Sequence, residues 1–255
     1  MRKMGYRLYV RPEWVVPLIE NYGKHFQTLE VKATANFIKD VYVQSFVDFC
    51  EKMGIQTLIF HLTDVFDTEK SCGATCDFLS EMEQNSSAIS TAYFVGETSS
   101  TEDFLHVISR TVKDNSLIFA LENMPCKKLF PYLKTLKSCA IKYGFKICID
   151  VANLFYSKQR SGVSYESLIG FFKNDTWWRE NVVLIHFHDY NAKGCFLNFG
   201  DGYIGKNSEQ LKSLLKCFNE DCPIVLKTPV QDFTTQGIIE TKAFLEFLED
   251  TKIEY

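Results

Sequence analysis

Residues 117–151 read LIFALENMPCKKLFPYLKTLKSCAIKYGFKICIDV, and this stretch decides the fold. Two short apolar runs, Leu117–Glu122 and Lys146–Val151, have the length and composition of buried β-strands. Between them, Leu129–Tyr143 carries apolar residues at helical spacing and precedes Gly144, a residue type that commonly ends helices. The stretch therefore predicts a strand, a helix and a second strand that runs parallel to the first.

The same alternation extends along the chain in both directions. Short β-branched or aromatic runs recur as predicted strands. They are Tyr6–Val10, Thr28–Lys32, Thr57–Leu62, Thr91–Val95, Leu117–Glu122, Lys146–Val151, Val182–His188 and Ile224–Lys227. Segments of helical period lie between them. They are Pro12–Tyr22, Asp40–Met53, Thr75–Met82, Glu102–Val112, Leu129–Tyr143, Ser164–Lys173, Ser208–Phe218 and Gln236–Leu248.

Strand–helix units repeated along 255 residues predict an α/β fold, a single-domain (β/α)8 TIM barrel over residues 1–255, because such barrels take about 250 residues. The open doubly wound sheet is the alternative, and it would carry a glycine-rich turn after its first strand. Arg11-Pro12-Glu13-Trp14 follows the first run here, so the barrel is favoured. No low-complexity tract or Pro/Ser-rich linker marks a boundary between domains.

The composition is that of a globular protein and narrows the range of partners. Hydrophobic residues make up 46% of the chain, and 28 Lys+Arg against 32 Asp+Glu give a net charge of −4. This acidic balance argues against binding to nucleic acid or to an anionic membrane. No run approaches the roughly 20 apolar residues that span a bilayer, and no signal peptide is recognisable. Nine cysteines without a Cys-x-x-Cys pair predict reduced thiols in a cytoplasmic protein.

Polar residues stand at the carboxyl ends of predicted strands, which is where the active sites of TIM barrels lie. Each residue alone has a structural explanation: Asp150 would cap the next helix, and Lys227 would extend its ammonium to solvent. The set is harder to explain in this way, because unpaired charges in a barrel mouth are costly. It predicts mutual compensation or a bound cation. The residues are His61, Glu122, Asn123, Asp150, Asn153, His186, His188, Asp189 and Lys227.

Three motifs follow one another at these strand ends: Ala120-Leu-Glu-Asn-Met-Pro125, Ile147-Cys-Ile-Asp-Val-Ala-Asn-Leu154 and Ile185-His-Phe-His-Asp-Tyr-Asn191. A Gly-x-Gly-x-Ile element, Gly200-Asp-Gly-Tyr-Ile204, comes next. In this order the motifs resemble the xylose isomerase-like TIM barrel superfamily, which contains sugar and sugar-phosphate isomerases and epimerases and, as a relative, endonuclease IV. The resemblance is strongest between about residues 117 and 226.

The resemblance implies a divalent metal (Mn, Zn or Mg) held by Glu122, Asp150 and His186, the positions that match family ligands on strands five to seven. It also implies an isomerase or epimerase that moves a proton of a small carbohydrate through an enediolate. The cation polarises the carbonyl and hydroxyl pair, and a flanking carboxylate moves the proton. Glu122, His188 and Lys227 are then the expected catalytic residues. The expected substrate contacts are His61, Asn123, Asn153, Arg160 and Asp189.

Three departures from the family pattern bear on this chemistry. Lys227 stands where the family has its final glutamate, and Asn153 stands where many members have the histidine of an Asp-x-Gly-His motif. Gly194 and Phe196 lie where an Asp-x-His pair often precedes the Gly-x-Gly element. An endonuclease IV-like zinc site would need these groups, so AP endonuclease activity is disfavoured.

Lys227 can have three roles. In the first, its ammonium replaces the metal and pairs with Glu122 and Asp150 across the barrel mouth. In the second, the metal stays on Glu122, Asp150 and His186, and water or His188 completes the site, because three protein ligands suffice for a catalytic metal. In the third, Lys227 is a base or Schiff-base residue. Neighbouring carboxylates disfavour this last role because they raise the pKa of a lysine.

Two further expectations concern loops near the site. Residues 155–160 are predicted to form a loop on the catalytic side, where Lys158 and Arg160 either grip a phosphate or remain solvated. The backbone around Gly200, Gly202 and Gly205 is predicted to approach a ligand closely. The rival of the isomerase interpretation is a catalytically degenerate barrel that binds a ligand or partner without turnover, and the missing eighth-strand glutamate favours it.

Overall fold

Parallel strands of the chain close into a barrel, as the alternation of strands and helices predicts. The computed structural model describes residues 4–8, 16, 20–21, 26–33, 43–62, 91–97, 102–114, 118–191, 196–227 and 235–249. The strands in these ranges are β1 Met4–Leu8, β2 Phe26–Ala33, β3 Thr57–Leu62, β4 Thr91–Glu97, β5 Ile118–Glu122, β6 Lys146–Asp150, β7 Val182–Phe187, β8 Asp189–Tyr190, β9 Phe196–Leu197 and β10 Ile224–Leu226.

The barrel contains β1 to β7 and β10, and every pairing around it is parallel. Strands that follow one another along the chain pair with one another, and β1 pairs with β10 to complete the circle. β8 and β9 form a separate antiparallel pair beyond the mouth end of β7. The predicted (β/α)8 TIM barrel is therefore confirmed as the fold.

Helices follow the strands of this barrel. In the described ranges they are α1 Val43–Lys52, α2 Glu102–Asp114, α3 Leu129–Tyr143, α4 Val151–Ser161, α5 Tyr165–Lys173, α6 Thr176–Asn181, α7 Ser208–Leu215 and α8 Gln236–Glu249. The predicted helix at Thr75–Met82 and most of that at Pro12–Tyr22 lie outside the described residues. None of the described helices combines the length and the hydropathy required to cross a bilayer.

α3 shows why the sequence forms these helices. Its buried side chains recur every three or four residues, so they form one apolar stripe that packs against the barrel. Gly144 ends the helix in a left-handed conformation with φ 75°, and its N–H donates to the carbonyl of Ala140. The buried residues of α3 are Leu129, Leu133, Leu136, Ala140 and Tyr143.

Two helices were not predicted from the sequence, and one of them changes the interpretation of the site. α4 begins directly after β6, without an intervening loop, because Asp150 acts as its N-cap: the Asp150 carboxylate accepts the N–H of Asn153. The predicted loop at residues 155–160 is therefore wrong, since these residues belong to α4. α6 is only six residues long and is capped by the side chain of Asp175.

The inside of the barrel has its own small apolar core, separate from the larger core between strands and helices. Six consecutive barrel strands each contribute one buried residue to it. Successive side chains of a strand alternate between its two faces, so the residue two positions further on also points inward, one layer closer to the mouth. The inner-core residues are Ile59, Val95, Ala120, Cys148, Leu184 and Val225.

Candidate functional site

A group of charged and imidazole side chains lies one layer above this inner core. Five of its members come two residues after an inner-core residue, which explains why they point into the barrel. The sixth, Glu30, comes from β2. All six are almost completely buried, with exposures between 0 and 6%. We call this group the ion cluster, and its members are Glu30, His61, Glu122, Asp150, His186 and Lys227.

Lys227 lies between two carboxylates of the ion cluster. Its Nζ donates to Glu122 Oε1 at 2.6 Å and to Asp150 Oδ2 at 2.8 Å. The backbone N–H of Lys227 donates to the carbonyl of Phe187 at 2.7 Å, which extends the pairing of β10 with β7 to the lysine itself. The pairing of Lys227 with Glu122 and Asp150 across the barrel mouth, which the first of the three lysine roles requires, is therefore present.

The ammonium keeps both carboxyl groups ionised. Burial raises the pKa of Glu122, but the charges of Lys227, His186 and His61 outweigh it, so this pKa lies well below its ordinary value. Burial likewise opposes ionisation of Asp150, and the Lys227 charge is the largest influence that lowers the Asp150 pKa well below its ordinary value. Glu122 and Asp150 are therefore carboxylates at neutral pH.

Two imidazoles lie between two glutamates in a closed ring of contacts. His186 places Nε2 at 2.5 Å from Glu30 Oε2 and Nδ1 at 2.8 Å from Glu122 Oε1. His61 places Nδ1 at 3.6 Å from Glu30 Oε1 and Nε2 at 3.5 Å from Glu122 Oε2. Each histidine therefore turns one nitrogen toward each glutamate. Lys227 contacts Glu122, a member of this ring, and also Asp150, so it connects the ring to Asp150.

Glu30 was missed by the sequence analysis, although it contacts two predicted site residues. It lies in the middle of β2, whereas the predicted site residues stand at the carboxyl ends of strands. The signal was present, because a glutamate flanked by Leu29 and Val31 in a strand buried on both faces needs a partner inside the protein. Searching whole inward faces of the predicted strands would have found it.

Asn123 and Asn153 connect the ends of β5 and β6 through hydrogen bonds between their side-chain amides and the backbone. Asn123 Oδ1 accepts the N–H of Asp150 at 2.7 Å, and its Nδ2 donates to the Asp150 carbonyl at 3.1 Å. Asn153 Nδ2 donates to the carbonyl of Asn123 at 3.0 Å. These contacts fix the position of Asp150 beside Lys227. The structure therefore shows both amides as positioning groups, and their predicted substrate contacts stay predictions.

His188 lies just beyond β7, against the Asp150 side of the ion cluster. Its Nδ1 lies 3.0 Å from the carbonyl oxygen of Asp189, and its Nε2 lies 3.6 Å from Asp150 Oδ2. A backbone carbonyl accepts a proton, so Nδ1 carries one, and this contact fixes which nitrogen faces Asp150. His188 is thus placed to exchange a proton close to the charged group.

The carboxylate of Asp189, a predicted substrate contact, accepts hydrogen bonds from the backbone of the loop at residues 200–205. Its two oxygens accept the N–H groups of Tyr190, Gly202, Ile204 and Gly205 at 2.7–3.0 Å. A Cβ atom on Gly202 would lie 2.4 Å from Asp189 Oδ1, so only glycine fits there. The backbone of this loop thus approaches Asp189 closely, and its predicted approach to a ligand stays a prediction. We call Asp189 and residues 200–205 the loop hub.

Arg160 lies in a helix, which corrects its predicted place in a loop, and its predicted substrate contact stays a prediction. It lies in the last turn of α4, and its guanidinium is 5.5 Å from the centre of the Tyr156 ring. Arg160 is ten positions beyond Asp150, which corresponds to about 15 Å along the helix axis. Lys158 belongs to the same last turn. Both cations therefore lie in the turn of α4 that is farthest from Asp150.

The predicted metal ligands Glu122, Asp150 and His186 do not fit a single metal ion. The Lys227 ammonium lies between the two carboxylates at hydrogen-bonding distance, so a divalent cation there would meet another cation. Of the described residues, two groups have ligand atoms within 4.8 Å of one another, and Asp150 is in neither. These groups are Glu30, His61 and His186, and Glu122, Cys148 and His186.

Comparison with known proteins gives a likeness in structure. No protein-family model matches the sequence, and no curated protein matches it. A xylose isomerase domain containing protein from Salmonella typhimurium LT2 aligns with TM-score 0.63 and 11% identity, over 98% of this chain and 97% of that one. A sugar phosphate isomerase/epimerase from Parabacteroides distasonis aligns with TM-score 0.59 and 12% identity, over 98% and 95%.

A probable 3-DHS dehydratase from Bacillus anthracis aligns with TM-score 0.60 and 13% identity, over 96% of this chain and 99% of that one. At these identities the likeness establishes the architecture, which extends over nearly the whole length of both chains. The chain thus has the TIM-barrel fold that the sequence motifs suggested, the fold of xylose isomerase-like proteins.

Proposed function

We propose that this protein catalyses the isomerisation or epimerisation of a small carbohydrate or sugar phosphate by proton transfer. The observation that supports this most is the Lys227 ammonium between Glu122 and Asp150 at the barrel mouth. An ammonium there supplies positive charge where the resembling family holds a metal. It would stabilise the negative charge that develops on the substrate oxygen when the neighbouring carbon loses its proton.

Proton transfer requires groups on the reacting carbon that can take up and return a proton. Glu122 and His188 are both close to Lys227. Glu122 contacts the ammonium directly, and His188 contacts Asp150, the second carboxylate that pairs with the ammonium. Glu122 is ionised and can accept a proton, although its lowered pKa makes it a weak base. Imidazole is the commonest general acid–base group near neutral pH, so His188 is the better-suited partner.

The structural neighbours are consistent with this proposal. Their names describe a sugar phosphate isomerase/epimerase, a xylose isomerase domain containing protein and a dehydratase. Removal of a proton next to a carbonyl is compatible with each of these reaction classes. We propose isomerisation or epimerisation because of the motifs from Ala120 to Ile204. We propose a carbohydrate substrate because these motifs resemble those of sugar isomerases and epimerases.

A non-catalytic binding barrel is the second candidate, and one observation favours it. Glu122 and His188 are each 2% exposed, and Lys227 is 6% exposed, so the described charges largely contact one another. An ion network of this kind can also serve to specify which strands pair, without a part in catalysis. In that case the mouth binds a ligand without turnover.

Hydrogen–deuterium exchange distinguishes the two candidates without knowledge of the exact substrate. A panel of ketoses and ketose phosphates is incubated with the protein in D2O, and NMR measures deuterium at the carbons next to the carbonyl. We expect exchange into at least one sugar, and we expect Glu122→Gln to slow it about 10²- to 10⁴-fold. Glu240→Gln is the matched control, because Glu240 is a buried glutamate on α8 whose carboxylate accepts the N–H of Phe199. No exchange into any sugar would favour the binding barrel.

A further inference from the structure

Three members of the ion cluster other than Lys227 have the composition of a metal site. Glu30, His61 and His186 are buried, and one ligand atom from each lies within 4.8 Å of the other two. Two imidazoles and one carboxylate are a set that binds zinc in proteins, with a further position left for water or substrate. These residues differ from the Glu122, Asp150 and His186 set that the sequence motifs suggest.

The orientation of the two imidazoles indicates which glutamate would bind a metal. A histidine that binds a metal through one nitrogen usually donates its other N–H to a carboxylate, which fixes the ring. Glu122 is suited to that supporting role: His186 Nδ1 lies 2.8 Å from it and His61 Nε2 lies 3.5 Å from it. The opposite nitrogens, His186 Nε2 and His61 Nδ1, both face Glu30.

Lys227 excludes the reverse arrangement, in which Glu122 binds the metal. Its ammonium is 2.6 Å from Glu122 Oε1, so a cation on Glu122 would be repelled at close range in a buried site. The group of Glu122, Cys148 and His186 is disfavoured for the same reason. Glu30 is completely buried, and a carboxylate in that position is stabilised by positive charge close to it.

We propose that Glu30, His61 and His186 bind one divalent transition-metal ion, with Glu122 as the outer carboxylate that orients both imidazoles. Lys227 then keeps the neighbouring position, between Glu122 and Asp150, free of metal. The cluster thus divides into a metal half and an ammonium half that share Glu122. This inference does not depend on the proposed reaction, because metal binding is measured without a sugar.

Metal binding to the unmodified protein is the first test. The protein is treated with a chelator, dialysed and titrated with Zn²⁺ by calorimetry, and X-ray absorption then counts the ligands. We expect one equivalent bound by two histidine nitrogens without a sulfur ligand. In the alternative arrangement, both nitrogens of His186 donate hydrogen bonds, one to Glu30 and one to Glu122, and no metal is needed. That alternative predicts that no Zn²⁺ binds. Absence of binding, a single histidine or a sulfur ligand would overturn the proposal.

Substitutions separate the proposed site from the set that the motifs suggest. Glu30→Gln and His61→Gln remove ligands and are expected to weaken Zn²⁺ binding more than 100-fold. Glu122→Gln removes the orienting carboxylate and is expected to weaken binding roughly 10- to 100-fold. Asp150→Asn is expected to weaken binding less than Glu30→Gln does, and the matched control Glu240→Gln is expected to bind as the parent does. Loss of binding in Asp150→Asn with retention in Glu30→Gln would contradict the proposal, and circular dichroism identifies any variant that fails to fold.

Discussion

Asp150 and Asp189 are two completely buried carboxylates at the mouth end of neighbouring segments, and they are neutralised in different ways. Asp189 accepts four backbone N–H groups of the loop hub. Asp150 accepts one backbone N–H, from Asn153, and pairs with the Lys227 ammonium. Backbone dipoles are fixed once the loop has folded, whereas the ammonium is at the end of a side chain and can interact with a ligand.

This contrast shows that a buried aspartate can have a structural role in one place and a chemical role in another. The Asp189 carboxylate organises the loop that follows β9, and its hydrogen-bonding capacity is used by the backbone. The Asp150 carboxylate instead contacts side-chain groups, the Lys227 ammonium at 2.8 Å and the His188 imidazole at 3.6 Å. Changes at the loop hub should therefore affect stability first, and changes in the ion cluster should affect both stability and chemistry.

The largest effect is expected from Lys227→Met. It leaves Glu122 and Asp150 buried without the ammonium, so we expect the free energy of unfolding to fall by about 3–5 kcal/mol. Urea denaturation followed by circular dichroism measures this value. Lys146→Met is the matched control, because Lys146 is partly buried and donates to the neutral amide of Asn181. A loss no larger than that of the control would mean that Lys227 does not neutralise the two carboxylates.

A somewhat smaller effect is expected from Asp189→Asn in the loop hub. The amide replaces one accepting oxygen with an NH2 group, which then faces backbone N–H donors, so we expect a loss of about 2–4 kcal/mol. The same denaturation experiment applies. Deuterium exchange per folded molecule should remain close to that of the parent. Loss of exchange without loss of stability would instead support direct substrate contact by Asp189.

Gly202→Ala tests the loop hub through its backbone rather than through its charge. The new Cβ would lie 2.4 Å from Asp189 Oδ1 and 2.5 Å from the Tyr190 carbonyl, so we expect a loss of about 1–3 kcal/mol. Gly170→Ala in α5 is the control, because no atom lies within 4 Å of its new Cβ. That helical substitution should stabilise the protein by about 0.5–1 kcal/mol. Equal effects at both positions would refute the close packing at Gly202.

The smallest effect is expected from Arg160→Ala, at the far end of α4. The structure predicts a change in unfolding free energy within about 0.5 kcal/mol, as for other exposed positions. Deuterium exchange into phosphorylated sugars should keep its KM. A tenfold rise in KM for phosphorylated sugars alone would restore the phosphate-binding role that the sequence suggested.

The sequence was sufficient for the barrel because its strands are marked by local composition. β3 begins and ends at the residues predicted for it, Thr57 and Leu62, and α3 likewise has its predicted bounds, Leu129–Tyr143. α4 was missed because Asp150 ends β6 and caps the helix at once, which leaves no turn residues to mark a boundary. The strand-end residues of the ion cluster were predicted from their positions and from the inward alternation of side chains.

The contacts within the site could not be predicted in the same way. Glu30 and His186 are 156 positions apart along the chain, and only closure of the barrel brings them within 2.5 Å. The loop hub also depends on the fold. Position 202 requires glycine only because the folded loop brings its backbone against the Asp189 carboxylate in β8. Sequence motifs therefore indicated which residues carry charge, and the fold determined which charges meet.

Anomalous diffraction from crystals soaked in Zn²⁺ tests the division of the ion cluster most directly. The data locate the metal and show the Lys227 side chain in the same map. We predict one anomalous peak among Glu30, His61 and His186, with the Lys227 ammonium still between Glu122 and Asp150. A peak between Glu122 and Asp150, with Lys227 displaced, would contradict the account.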